Sequence, residues 1–367
     1  MKRNQLREAI FRHLDGLVVV PVAYSLFKKG ILAHLLKEKT STLAQLTNEF
    51  QANEGYLNVA LRVLASQGFL KYEVDNKSGS VTISTLPISE FAFSLVSIYE
   101  DTFQMLTQTS VFTANKMDSD SIALLEPILK KFTENYHIHF EEDENLRTIQ
   151  EQILTHIEGY LVGPIVVNLG MTGMFHKYFM ESSFRADEFH KHPEAFSKIL
   201  DFFVYLGWFS KKNDNYQFTE DGFFFAKRAS AYGVTVSYLP MFKHIDSLLF
   251  GNASELRNIA KNEDEIHVNR EMNVWGSGGA HATYFKVIDD IIIELFNKPI
   301  AEQPKGILDM GCGNGAFLQH IFEVIERQTL RGKMLDDYPL FLVGADYNQA
   351  ALKVTRANLI KADIWAK

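Results

Sequence analysis

Three positions recur at fixed spacing in two distant parts of the chain, and that recurrence limits the folds open to its first two thirds. Gly16, Pro21 and Gly30 are separated by 5 and 9 residues, and Gly159, Pro164 and Gly173 repeat both intervals after a displacement of 143. The surrounding text is apolar and helical in both copies, GLVVVPVAYSLFKKGIL against GYLVGPIVVNLGMTGMF. A second helical run follows each, YLNVALRVLASQGFLKYE or FSKILDFFVYLGWFSKK. Strand-like pieces then come at residues 69–74 and 80–84, divided by a turn at 75–79, and at 208–211 and 216–219, divided by a turn at 213–215. Helices followed by a small hairpin are the order of a winged-helix unit. Gly68 and Gly207 stand where the last helix gives way to the wing, a natural C-cap position. A duplicated winged-helix module is therefore expected.

Neither copy reads as a DNA reader. The expected third helices carry one basic residue each, Arg62 within 56–66 and Lys198 within 196–206, where a recognition helix presents several polar or basic groups. Their apolar faces suit packing or dimerisation. The formal charge of -8 and pI of 5.9 supply no general attraction for phosphate backbones. No nucleic-acid partner is expected. No uninterrupted apolar run approaches a membrane span, so no membrane association is expected either. A single cysteine, Cys312, rules out an internal disulfide framework and fits a reducing, cytoplasmic setting.

The pattern divides the chain into a first winged-helix-like module at 1–112, a helical linker at 113–149, a second module at 150–250, a helical connection or lid at 251–304, and a distinct α/β segment at 305–367. Within the connection, WGSGGAHATY at 275–284 reads as a glycine-rich turn starting a helix at 282–297, or as a lid facing a ligand. His281 in that segment is a candidate base or metal ligand. Two alternating clusters, HIHFEE with His137, His139, Glu141 and Glu142, and the pair His190 and His192, lack a complete ligand set, and no metal site is assigned.

The chemical signature lies near the C-terminus. ILDMGCGNG, residues 307–315, is an apolar strand running directly into three alternate glycines, with a helix able to form at 316–326. Such glycines permit a sharp strand-to-helix turn and remove the Cβ atoms that would hold a nucleotide-like ligand off the backbone. A second buried strand, within PLFLVGADYN, ends at Asp346, a carboxylate placed to accept hydrogen bonds from two ribose hydroxyls. Nicotinamide dinucleotides are the competing ligand for such a turn, but their fingerprint is GxGxxG, and GCGNGA spaces its glycines by 2 and 2.

These residues resemble the class I S-adenosylmethionine-dependent methyltransferases, whose first motif matches Asp309, Gly311, Gly313 and Gly315 and whose second acidic residue matches Asp346. The resemblance implies that the glycines pass beneath the methionine and ribose, Asp309 orients the amino-acid end, Asp346 holds the ribose diol and Asn348 approaches the adenine. The order of winged helix, helical connection and Rossmann-like core is similar to that of small-molecule O-methyltransferases. Large N-terminal helical regions also precede methyltransferases embedded in polyketide synthases. The resemblance thus implies S-adenosyl-L-methionine as cofactor and a small-molecule or acyl-carrier-tethered substrate from natural-product or polyketide biosynthesis, with a homodimer as one possible assembly. The metal requirement stays open.

The expected fold is mainly α with two winged-helix-like α+β modules, followed by a truncated α/β Rossmann-like methyltransferase core. Residues 306–367 supply two strands and two helices, fewer than the family's core, so the remaining core is expected from the same or another polypeptide. A noncatalytic dimerisation or interaction scaffold derived from a methyltransferase is the alternative.

Overall fold

The computed structural model describes residues 3–108, 119–177, 183–256 and 265–366. It divides into two compact units, Met1–Asn273 and Val274–Lys367. The start of the helical linker expected at 113–149 lies outside the described residues.

The first unit opens with a long helix, α1 (Arg3–Lys29), followed by α2 (Ile31–Glu38), β1 (Thr40–Thr42), α3 (Leu43–Phe50), α4 (Glu54–Ser66), β2 (Leu70–Val74) and β3 (Val81–Thr85). The strands form an antiparallel sheet in the order β1-β3-β2, which completes a winged-helix module. A capping box starts α3: Thr42 Oγ1 accepts from the Gln45 amide, and Gln45 Oε1 accepts from the Thr42 amide. Leu57, Ala60, Leu61 and Leu64 turn one face of α4 into the core. Helices α5 (Ser89–Leu95), α6 (Glu100–Gln108) and α7 (Ser119–Thr133) follow.

The second copy starts at α8 (Glu144–Met171), whose first turn is capped by the Asp143 carboxylate, and continues through α9 (Met174–Lys177) and α10 (Pro193–Tyr205) to the hairpin β4 (Phe209–Lys212) and β5 (Asn215–Phe218). Among the described residues its first strand is represented by one bridge, Phe184 to Tyr216, and a short 3-10 turn at Ala186–Glu188 stands where the first copy has α3. Gly68 and Gly207 both take a left-handed φ of 76°, as the C-cap reading requires. Helices α11 (Glu220–Ala226), α12 (Ser230–Ser237), α13 (Leu239–Phe242) and α14 (Ile245–Phe250) complete this part.

The repeated glycines explain how the copies join. A Cβ on Gly16 would lie 2.2 Å from the His156 carbonyl oxygen, and one on Gly159 would lie 2.3 Å from that of His13. The backbones of α1 and α8 therefore cross at a distance that admits no side chain at either point. Both helices reach the length and apolarity of a membrane span, which the uninterrupted apolar runs did not suggest. Their apolar surface is largely buried within the unit, the signature of core helices that are hydrophobic on most sides.

Helix α15 (Arg270–Phe296) passes through 275–284 without a turn and starts 12 residues before the position expected from sequence. Each glycine costs a helix about 1 kcal/mol, but Phe296, fully buried in a cluster with Ile321 and Ile325, anchors the C-terminal end of this one. His281 falls within α15, and its side chain lies outside the described residues.

In the second unit, β6 (Gly306–Met310) and β7 (Phe341–Ala345) pair in parallel, from Gly306 opposite Phe341 to Met310 opposite Ala345. Helix α16 (Ala316–Gln328) connects them and α17 (Gln349–Lys361) follows. Cys312, Leu318, Leu342, Leu359 and Ile364 form one apolar cluster; Phe296, Ile321 and Ile325 form another. The connection at 329–338 is braced by a buried arginine. Arg331 donates to the carbonyls of Tyr338 and Pro339 and to Gln303 Oε1. On the opposite sheet face Leu308, Met310 and Phe341 are 57%, 79% and 70% exposed among the described residues.

Candidate functional site

The site is built where β6 meets α16. Gly311, Gly313 and Gly315 take φ of 83°, 55° and 79°, a left-handed region that side chains disfavour, so the alternate glycines let the chain reverse at once. A Cβ placed on Gly311 or Gly313 would meet nothing within 4 Å, so the loop borders open space there. Gly315 differs. A Cβ on it would press against Thr355 Cγ2 at 2.7 Å, so this glycine serves packing against α17.

Backbone and side-chain bonds fix the loop from several sides. The Ala345 carbonyl at the end of β7 accepts from the amides of Gly311 and Cys312, at 2.7 and 3.1 Å. Asp346 Oδ2 accepts from the Gly313 amide at 3.0 Å, and its Oδ1 from the Asn348 amide at 2.8 Å. Two bonds from α17 complete the support. Thr355 Oγ1 donates to the Gly313 carbonyl at 2.6 Å, and Asn358 Nδ2 donates to the Asn314 carbonyl at 3.0 Å. Sequence reasoning missed Thr355 and Asn358; their one-face spacing on a helix was the available signal, but polar pairs at that spacing are common on solvated faces.

The motif carboxylates share this neighbourhood. Burial, and then the charge of Asp346, raise the Asp309 pKa above the ordinary carboxylate value. Two acidic groups beside a glycine loop favour a cationic ligand, and each carboxylate oxygen keeps acceptor capacity beyond the bonds described. Burial also raises the pKa of the Cys312 thiol, which packs within the apolar cluster. That places Cys312 in the fold's interior.

Asn348 has a structural task here: its Oδ1 accepts from the Ala351 amide at 3.3 Å and its carbonyl from the Leu352 amide, which makes it the N-cap of α17. Among the described residues, no three His, Cys, Asp or Glu side chains converge on a possible metal position. His190 Nδ1 accepts from the His192 amide, a local turn contact.

Three family models match the chain in succession. An AprA N-terminal domain covers residues 6–72, an AprA winged helix domain covers 158–252, and an AprA MT2-like domain covers 265–367. The match at 265–367 contains the whole glycine loop and Asp346, and marks this part as a methyltransferase-like domain related to that of AprA. No curated protein shows significant similarity to the chain.

Proposed function

We propose that this chain, with its AprA-like methyltransferase domain, is the scaffold and donor-binding portion of an S-adenosylmethionine-dependent methyltransferase acting in the cytoplasm. One observation carries the reading: the open space over Gly311 and Gly313, with the Asp346 carboxylate bonded to the Gly313 amide and Asp309 close enough to feel its charge. The residues fit the cofactor, since a cradle without Cβ atoms admits a nucleoside close to backbone and the acidic pair suits a sulfonium and an ammonium group.

Asp346 would accept from the ribose hydroxyls and Asp309 would orient the amino-acid end, while Thr355 and Asn358 keep the loop in shape. S-adenosylmethionine, when bound, supplies an electrophilic methyl group. The chain's part is to hold the donor and fix its orientation, an effect that acts through proximity. The acceptor we favour is a small molecule or an acyl group tethered to a carrier protein, as in polyketide assembly.

The uncovered face of the β6–β7 sheet supports one further element of the reading. Parallel sheets are ordinarily covered on both faces, and Leu308, Met310 and Phe341 have no cover among the described residues. We propose that further strands and helices of a methyltransferase core, from the same or another polypeptide, sit there. The chain by itself is then expected to transfer methyl groups weakly or not at all. Calorimetry with S-adenosylmethionine, with the chain alone and with the completed core, tests this. Binding by the completed core that is lost in Asp346→Ala supports the proposal; no binding by a folded, completed core refutes it and favours a noncatalytic scaffold.

A further inference from the structure

The two copies in the first unit touch through reciprocal contacts. The displacement that carries Gly16 onto Gly159 also carries His13 onto His156 and Asp15 onto Glu158, so HLDG in α1 repeats as HIEG in α8. Tyr99 and Tyr232 are equivalent as well, each 14 residues beyond the end of its hairpin at Thr85 or Phe218.

Each of these residues reaches into the opposite copy. Gly16 meets the backbone of His156, and Gly159 that of His13. The Tyr99 hydroxyl lies 2.6 Å from His156 Nδ1, and the Tyr232 hydroxyl lies 2.7 Å from His13 Nδ1. All four polar side chains of these two pairs are buried. Contacts in which residue i of one copy meets j of the other, and j meets i, are the mark of an isologous, two-fold interface.

The remaining ring nitrogens follow the same plan with one change. His13 Nε2 donates to Glu158 Oε1 at 3.1 Å. On the other side Asp15 is one methylene shorter, and Gln67 fills the gap: its Oε1 accepts from His156 Nε2 at 3.0 Å and it hydrogen-bonds Asp15.

We infer that the tandem modules are a two-fold dimer closed within one chain, so that the α1–α8 face takes the chain's own second copy as its partner and is shut to another chain. Joining both halves covalently raises their effective concentration to the order of millimolar, which favours the internal pairing. The first module is then a built-in partner subunit for the second, the copy that leads on toward the methyltransferase-like domain.

Two measurements on the full chain test this. In nitrogen NMR of the imidazole rings, Tyr232→Phe is expected to shift the His13 signals and spare those of His156, and Tyr99→Phe to do the reverse. Hydrogen-exchange protection of the α1 and α8 amides is expected to stay constant across a dilution series, which reads this face alone and ignores association elsewhere. Tyr232→Phe shifting His156 in place of His13, or protection that falls on dilution, overturns the inference.

Discussion

Gly159 lies against the backbone of His13 so closely that a methyl group on its α-carbon would come within 2.3 Å of the carbonyl oxygen. The obstacle is main chain in a packed helix, which cannot rotate away. Gly159→Ala and Gly16→Ala are each expected to destabilise the first unit by about 1–3 kcal/mol or more, the range of overpacked cores. Gly163→Ala is the control, because its nearest neighbours are the side-chain methyls of Leu17 at 3.1 and 3.2 Å, which can shift. Denaturant midpoints for the three variants should rank Gly163→Ala as the mildest.

Burial of Asp309, reinforced by the charge of Asp346, makes the second unit sensitive to pH. Asp309 titrates above its ordinary 3.8 in the folded chain, so between that value and the raised one the folded state holds more protons than the unfolded state. Its contribution is fully present below 3.8 and is lost as pH rises through the folded pKa. Asp309→Asn should therefore flatten the pH dependence of unfolding across this window. Asp346→Asn, by removing the like charge, should move the Asp309 carboxyl titration down, as read by carbon NMR.

Burial lowers the His156 pKa from 6.5 to about 3. Here the unfolded state binds the extra proton, so the linkage has the opposite sign. Stability of the first unit from this group is fully present above 6.5 and falls away as pH drops toward 3. A His156→Gln variant should lose less stability than the parent over that acid range, in denaturant titrations at stepped pH.

Thr355 offers a test of the loop that leaves the motif untouched. Its hydroxyl is buried and donates to the Gly313 carbonyl. Thr355→Val keeps the shape and removes the donor, at an expected cost of about 1–3 kcal/mol. S-adenosylmethionine affinity of the completed core should fall in parallel, by about tenfold for each 1.4 kcal/mol that reaches the site.

The winged-helix order, the parallel β6–α16–β7 unit and the glycine loop were legible because each rests on local pattern: periodicity, turn residues and spacing. What escaped was encoded across distance. Gly16 and Gly159 stood out by their intervals, yet the helix crossing that requires them joins segments far apart in the chain. The histidine–tyrosine pairs are more remote still, with His13 and Tyr232 separated by 219 positions. Nothing near Thr355 in the sequence says that its helix will lie beneath Gly313. The glycine-rich stretch at 275–284 misled for another reason: local propensity favoured a turn, whereas α15 runs on through it to the packing of Phe296 against Ile321 and Ile325. Arg331 likewise carries no local signal that it is the brace three acceptors share.

A ribbon of two parallel strands with one greasy side, ending at Met310 and beginning at Phe341, has a practical consequence. Produced by itself at high concentration, the protein will tend to clump through that side, and mild detergent or a charged replacement at Met310 should keep it dispersed. The same stickiness is a handle, since whatever fragment restores solubility on co-production has found its natural seat.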